Sequence, residues 1–354
     1  MATSYSKLIH TTLASCEQGS KKSIQLTSWK PGSAVRESAK MLMDCRLSFI
    51  DKLFIRQHYL ALRQGLVTAR QGQLIKAEQH FTAAQKFLQS NQFSPEGDLI
   101  CKSFQQTAQA YLDYRRGDFN QARTRTLEAL AIDTALEEDY NFHLLGHSHR
   151  LELAGNLIRI DSRWMQWQRA VELAGQLLSY LEGVLEELPL SGSWSSEQVV
   201  LLPVESALGI FLAVTSEVAL MLAGKNRQVA RELFEIMAYP MELPADQNRC
   251  LHPRVHTWFL LKQAFVKGDT TTFLEQASHF LAEGRGDIPL LWYGTVVDLV
   301  TLCDELALPN SELVRQDIAR NAATWEKLPK SFFPLLGVLE ESNSYNKLKS
   351  CSHP

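Results

Sequence analysis

One spacing pattern restricts the fold of this 354-residue chain more than any other feature. Residues 69–87 read ARQGQLIKAEQHFTAAQKF, placing Gly72 and Leu74 at a turn, followed by Ala77, Phe81 and Ala84. Gly117, Phe119, Ala122, Thr126 and Ala129 follow 45 positions on, within 114–132, YRRGDFNQARTRTLEALAI. Glycine ends a helix because it enters the left-handed region at no steric cost. The residue two places later packs into the corner, alanine lets two backbones approach, and the large residue four places on fills the groove. Each segment therefore predicts an antiparallel helix pair whose remaining apolar face needs another pair stacked on it.

Gly65, Ala77, Phe81 and Ala84, with Ala110, Gly117, Phe119, Ala122 and Ala129 in the same register, resemble the tetratricopeptide repeat family. The family's early Trp is replaced by Ala61 and Gln106, Thr126 stands where an aromatic is usual, and the final Pro is missing. Weaker units carry Gly268, Phe273, Ala277 and Phe280, and Gly224, Ala230, Phe234 and Met237. A further second helix would hold Trp167, Ala170 and Ala174, reached through Asp161-Ser162-Arg163. The resemblance implies an all-α, right-handed superhelical solenoid of antiparallel helix pairs. A period longer than the family's implies lengthened helices or loops.

Punctuation organises the rest. Residues 1–33 read as an N-terminal helix and loop, with Ser33 capping a helix through Cys45. Helical repeats are expected over 34–187 and 188–341, with a flexible tail over 342–354. Extended connections fall at 91–98, 188–197 and 239–253, and the second of these is the candidate hinge. Ile288-Pro289 opens a helix through Asp304, and Pro309-Asn310-Ser311 precedes another over 312–325.

Lys plus Arg is 36 against 39 Asp plus Glu, and the resulting formal charge of -3 argues against a general nucleic-acid binder. The basic cluster Arg115, Arg116, Arg123 and Arg125 is neutralised by Glu128, Asp133, Glu137, Glu138 and Asp139 directly after it. Six dispersed cysteines without a CxxC pair suit reduced thiols and a cytoplasmic location. Leu13-Ala14-Ser15-Cys16 has the form of a lipidation site, but His10, Thr11 and Thr12 occupy the place of the apolar stretch such a leader requires. Residues 207–223, ALGIFLAVTSEVALMLA, read as a core helix and not as a membrane span.

No phosphate-binding loop or nucleophile elbow is present, and Gly284-Arg285-Gly286-Asp287 reads as a turn. His143 and His147 lie four apart beside Asp139 and His149. An HExxH arrangement is absent, and Gly146 weakens a helix between the two. Cys250, His252 and His256 form a second cluster, interrupted by Pro253. Both read as ordinary polar residues, so neither enzyme activity nor a metal or cofactor is expected.

In the tetratricopeptide family the first helices of successive units line a concave groove that accepts peptides or partner helices. In register, that implies a partner-binding groove of Tyr59, Leu62 and Leu66, then Phe104, Thr107, Tyr111, Tyr114 and Arg115, then Trp258, Lys262 and Phe265. The same positions also suit core residues covered by neighbouring helices. Leu62, Leu66 and Ala108 replace the polar residues with which the family's chaperone-tail binders clamp a terminal carboxylate. The expected function is a protein- or peptide-binding scaffold. The alternative is a peptide- or ligand-gated regulator acting through a protein partner, and a helical metal enzyme is a third. Exposed solenoid ends leave self-association open.

Overall fold

A computed structural model describes residues 2–24, 43–241, 251–307 and 311–339, and among them helices are the only regular secondary structure. The chain is all-α. Ser33 and most of the helix expected to follow it, Cys250, Pro309-Asn310, and the tail with Cys351 and His353 lie outside the described residues. The helices are α1 Ala2–Ser20, α2 Phe49–Arg70, α3 Leu74–Ser90, α4 Pro95–Arg116, α5 Phe119–Tyr140, α6 His143–Arg163, α7 Trp167–Leu181, α8 Ser196–Val200, α9 Val204–Leu222, α10 Arg227–Ala238, α11 Pro253–Lys267, α12 Thr270–Ala282, α13 Pro289–Glu305, α14 Ser311–Ala322 and α15 Phe333–Leu336. Single 3-10 turns occupy Tyr239–Met241 and Lys330–Phe332.

Contacts divide the chain into a middle unit, Trp29–Val214 with Ile236–Glu242, and an end unit, Met1–Ser28, Thr215–Glu235 and Leu243–Pro354. The divisions fall inside α9 and inside α10, whereas the candidate hinge was at 188–197. By length and composition α9 could cross a membrane, and half of it is buried within the protein.

In the middle unit, α2 with α3, α4 with α5, and α6 with α7 form consecutive packed pairs, and α2 also packs on α4. Local chemistry sets the ends of these helices. Ser48 and Ser94 cap α2 and α4 by accepting the amides of Asp51 and Gly97, and Pro95 opens α4 where no amide donor is needed. Gly117 closes α4 at φ 83°, with the Asp118 amide reaching back to the Asp113 carbonyl, and Asp118 then caps α5 through the Gln121 amide. Gly268 and Asp269 repeat this arrangement between α11 and α12. The long period is absorbed by long helices: α2, α4 and α5 each have 22 residues.

Two sequence readings are corrected. Asp161-Ser162-Arg163 is the last turn of α6 and not a connection. The corner follows at Trp164–Gln166, where Met165 takes φ 61°. The connection expected at 91–98 is only 91–94, since Pro95 already belongs to α4.

Small residues allow the pairs to close. Ala77, Ala84, Ala122 and Ala129 are fully buried, and Phe81 fills the space between α3 and α2. Thr126, at the aromatic's place, is buried with its hydroxyl donated to the Ala122 carbonyl at 2.8 Å, so the polar group costs little. After α7 the chain folds back and buries Leu188 and Trp194. Arg150 donates to the Ser193 carbonyl at 2.7 Å, and Tyr180 donates to the Ser195 carbonyl at 2.8 Å.

The end unit joins distant parts of the sequence. Along α1 the buried positions Ile9, Thr12, Cys16 and Gly19 form one stripe, and this stripe packs on α12. Thr12 donates to the Leu274 carbonyl at 3.1 Å, and Ser15 and Ser278 share a hydrogen bond at 2.9 Å. Helix α13 is buried throughout 291–300; its Tyr293 stacks on Trp325, and its Trp292 meets the same ring edge-on.

A Cβ at Gly65 would lie 2.3 Å from the Phe81 ring. Gly65→Ala should therefore lower the urea midpoint of unfolding, at a cost of about 2 kcal/mol. An unchanged midpoint would mean that α2 and α3 are not in this close contact.

Candidate protein-binding face

Helices α2, α4 and α6 of the middle unit bring a run of rings together. Tyr59 and Phe104 meet edge-on at 6.1 Å, and Phe104 meets the His149 ring at 5.4 Å. Farther along, Tyr111 and Tyr114 stack at 6.3 Å. Tyr59, Leu66, Phe104, Thr107, Tyr111 and Tyr114 are half-buried, and Arg115 is exposed. A residue four or seven positions along the same helix lies on the same side, so the spacing of Phe104, Thr107, Tyr111 and Tyr114 makes one stripe on α4.

Other expected groove positions are corrected by burial. Leu62 is 2% exposed, in the core between α2 and α4, because it points toward the helix that covers it. In the end unit Trp258, Lys262 and Phe265 are buried too. Lys262 donates to both carboxylate oxygens of Asp298 at 2.8 Å and lies over the Phe265 ring. Burial raises the Asp298 pKa, against the pull of the Lys262 charge. Lys262 is thus an internal ion-pair partner and no part of an open wall.

His149, itself buried, is the main residue behind this face that register alone did not assign. Its Nδ1 lies 2.7 Å from the Asp133 carboxylate on α5, and its Nε2 lies 3.5 Å from the Thr107 hydroxyl. Burial pulls its pKa down, but the Asp133 charge and hydrogen bond outweigh this and leave it raised. Ser103, Asp133 and His149 are the residue types of an acyl-transfer triad, in a different order. Ser103 gives its proton to Asp133 at 2.6 Å and lies 3.4 Å from the same Nδ1, whereas a nucleophile must sit at the other nitrogen. Thr107, which does face Nε2, donates to the Ser103 carbonyl at 2.9 Å. The arrangement fixes the imidazole and leaves no activated hydroxyl.

The remaining histidines lie apart. His143 is exposed and contacts Glu137 at 3.1 Å, while Glu137 is also held by the buried Arg150. His147, four residues on, is 1% exposed, with neither ring nitrogen bonded, between Tyr180 at 5.9 Å and Trp194 at 5.6 Å. His252 caps α11 and contacts Asp287 at 2.8 Å. Among the described residues no group of three His, Cys, Asp or Glu side chains is placed to hold a metal ion.

A separate cleft of about 700 Å³ lies between α7 and the Tyr239–Met241 turn, lined by Gln168, Glu172, Gln176, Leu188, Pro189 and Tyr239 among others. No family model matches the chain, and no curated protein or solved structure matches it.

Burial and the Arg150 charge lower the His147 pKa from 6.5 to about 4. Its folded pKa lies below its unfolded one, so the stability it provides is complete above the unfolded value and is lost as pH falls toward the folded one, by about 3 kcal/mol. His147→Phe keeps the ring contacts and removes this proton uptake. The variant should gain stability relative to wild type as pH drops from about 7 to 4.5 in denaturant titrations. Parallel curves would exclude the assignment. Separately, Asp298→Ala leaves Lys262 buried and unpaired and should cost about 3 kcal/mol. A thermal melt equal to wild type would mean that the ammonium finds water.

Proposed function

We propose that the middle unit is a protein- or peptide-binding module and that the chain acts as a scaffold or adaptor, without catalysis of its own. In this reading α2, α4 and α6 are the first helices of tetratricopeptide-like units and form the inner wall of a right-handed superhelix. An extended peptide or a partner helix lies along it. The observation that carries the reading is the run of half-exposed rings from Tyr59 through Phe104 to Tyr111 and Tyr114. Aromatic groups held by packing lose little freedom when an apolar anchor docks on them. They stand on rigid helices whose corners are fixed by Ser94, Gly117 and Asp118.

A cytoplasmic setting is part of the proposal. Cys16, Cys101 and Cys303 are buried free thiols, and burial raises the Cys16 and Cys101 pKa values to about 12, which keeps them protonated and inert.

A displayed library of random dodecapeptides, selected on the immobilised full chain, tests the reading. Peptides with large apolar residues should be enriched. A Tyr111→Ala/Tyr114→Ala double variant that retains the wild-type melt should bind them about tenfold more weakly, as expected for two interfacial aromatic anchors. Absence of enrichment, or equal binding to the double variant, would refute the module.

A further inference from the structure

Three arginines end the helices of the proposed wall. Arg70, Arg115 and Arg163 each lie in the last turn of α2, α4 and α6. Arg70 and Arg115 are 45 positions apart, the spacing of the repeat itself, and Arg163 follows 48 later. All three are exposed. They gather on the stacked tyrosine pair: the Arg70 and Arg115 guanidiniums lie 5.9 and 6.0 Å from the Tyr111 ring centre. Arg115 donates to the Tyr111 hydroxyl at 3.1 Å, and Arg163 Nε donates to the Tyr114 hydroxyl at 3.3 Å.

Four arginines of α4, α5 and α7 behave differently. Arg116 pairs with Glu78, Arg125 with Asp113, and Arg123 and Arg169 both with Asp161. Among the described residues none of Arg70, Arg115 and Arg163 has a carboxylate within ion-pair distance. A cation in the last turn offsets the negative end of the helix, which accounts for the sign of the charge. It does not account for three cations gathered around two tyrosines without a carboxylate among them.

We infer that Arg70, Arg115 and Arg163 bind an acidic stretch of the partner peptide, whose apolar residues lie on the rings beside them. This rests on the proposed binding module and specifies the chemistry of its ligand. Arg70 and Arg115 stand at the Tyr111 ring and Arg163 at the Tyr114 hydroxyl, so a chain laid along the two rings meets all three cations in turn. An extended chain advances about 3.3 Å per residue and presents alternate side chains on one side, so Asp or Glu at intervals of two or three residues meets the row. Planar guanidiniums match carboxylates with two parallel hydrogen bonds. Single-stranded nucleic acid is the competing occupant, because tyrosine and arginine also suit bases and phosphates. A chain of formal charge -3 lacks the basic footprint expected of such a protein, which favours the peptide.

The same dodecapeptide library, selected in parallel on the full chain and on an Arg70→Gln/Arg115→Gln/Arg163→Gln variant, tests the inference. Peptides enriched on the wild type should carry more Asp and Glu than the input library. Glu-to-Gln versions of the synthesised binders should bind about tenfold more weakly. Acid enrichment should vanish on the triple variant, and Arg115→Lys, which keeps the charge, should retain more affinity than Arg115→Gln. Enriched peptides no more acidic than the input, or acid enrichment that survives in the triple variant, would overturn the inference and leave the binding module standing. Failure to enrich any peptide would remove both. An oligothymidylate that binds the wild type more tightly than the best acidic peptide would assign the row to nucleic acid. The substituted arginines are exposed, and a wild-type melt of the triple variant verifies that any loss is not unfolding.

Discussion

Close approach of paired helices is the constraint on which the middle unit depends. Two helices can come near only where one of them presents almost no side chain. Gly65 against Phe81, and the fully buried Ala77, Ala84, Ala122 and Ala129, supply those places. The approach has a directional consequence. Once the small residues of α3 and α5 face inward, α2 and α4 can turn only part of their apolar stripe into the pair. The rest, from Tyr59 to Tyr114, is left half-buried, with Tyr111 at the margin of the core around Phe81 and Tyr114 meeting Phe119 of α5 edge-on at 6.0 Å. The half-exposed rings thus follow from the same packing that hides Phe81.

Buried polar groups then fix which helix lies beside which. His58 bonds Gln105 at 3.0 Å, and Gln105 in turn donates to the Phe81 carbonyl at 3.2 Å. Asp133 ties α5 to both Ser103 on α4 and His149 on α6. Asp161 receives arginines from α5 and α7. An apolar surface alone would permit sliding by a turn, whereas each of these pairs loses its partner if the helices shift.

Much of this was legible in the sequence. The 45-residue spacing located the corners at Gly72 and Gly117 and the buried alanines, because turn chemistry and small-residue packing are local. Register placed Tyr59, Phe104, Thr107, Tyr111 and Tyr114 on one wall, and in the structure they are half-buried. It did not reveal what covers that side, so Leu62, Trp258, Lys262 and Phe265 were assigned to an open wall although neighbours bury them. The His149–Asp133 contact was invisible for another reason: no spacing rule links a first helix to the preceding pair. Arg70 could have been found by stepping one 45-residue period back from Arg115, whereas Arg163 lies three residues beyond the next period and needed the end of α6 to be known. The corner after Arg163 contains no glycine, so nothing local separated Asp161-Ser162-Arg163 from a turn.

The seat of α1 carries a consequence for biosynthesis. Thr12 bonds the carbonyl of Leu274, 262 residues away. At a translation rate of about 5–20 residues per second, roughly 13 to 50 s pass between the emergence of the two. Throughout that interval Ile9, Cys16 and Gly19 have no α12 to lie against. A nascent chain stalled between the two helices would present this stripe to chaperones or to other chains, and release from that state is timed by the ribosome and not by the speed of helix formation.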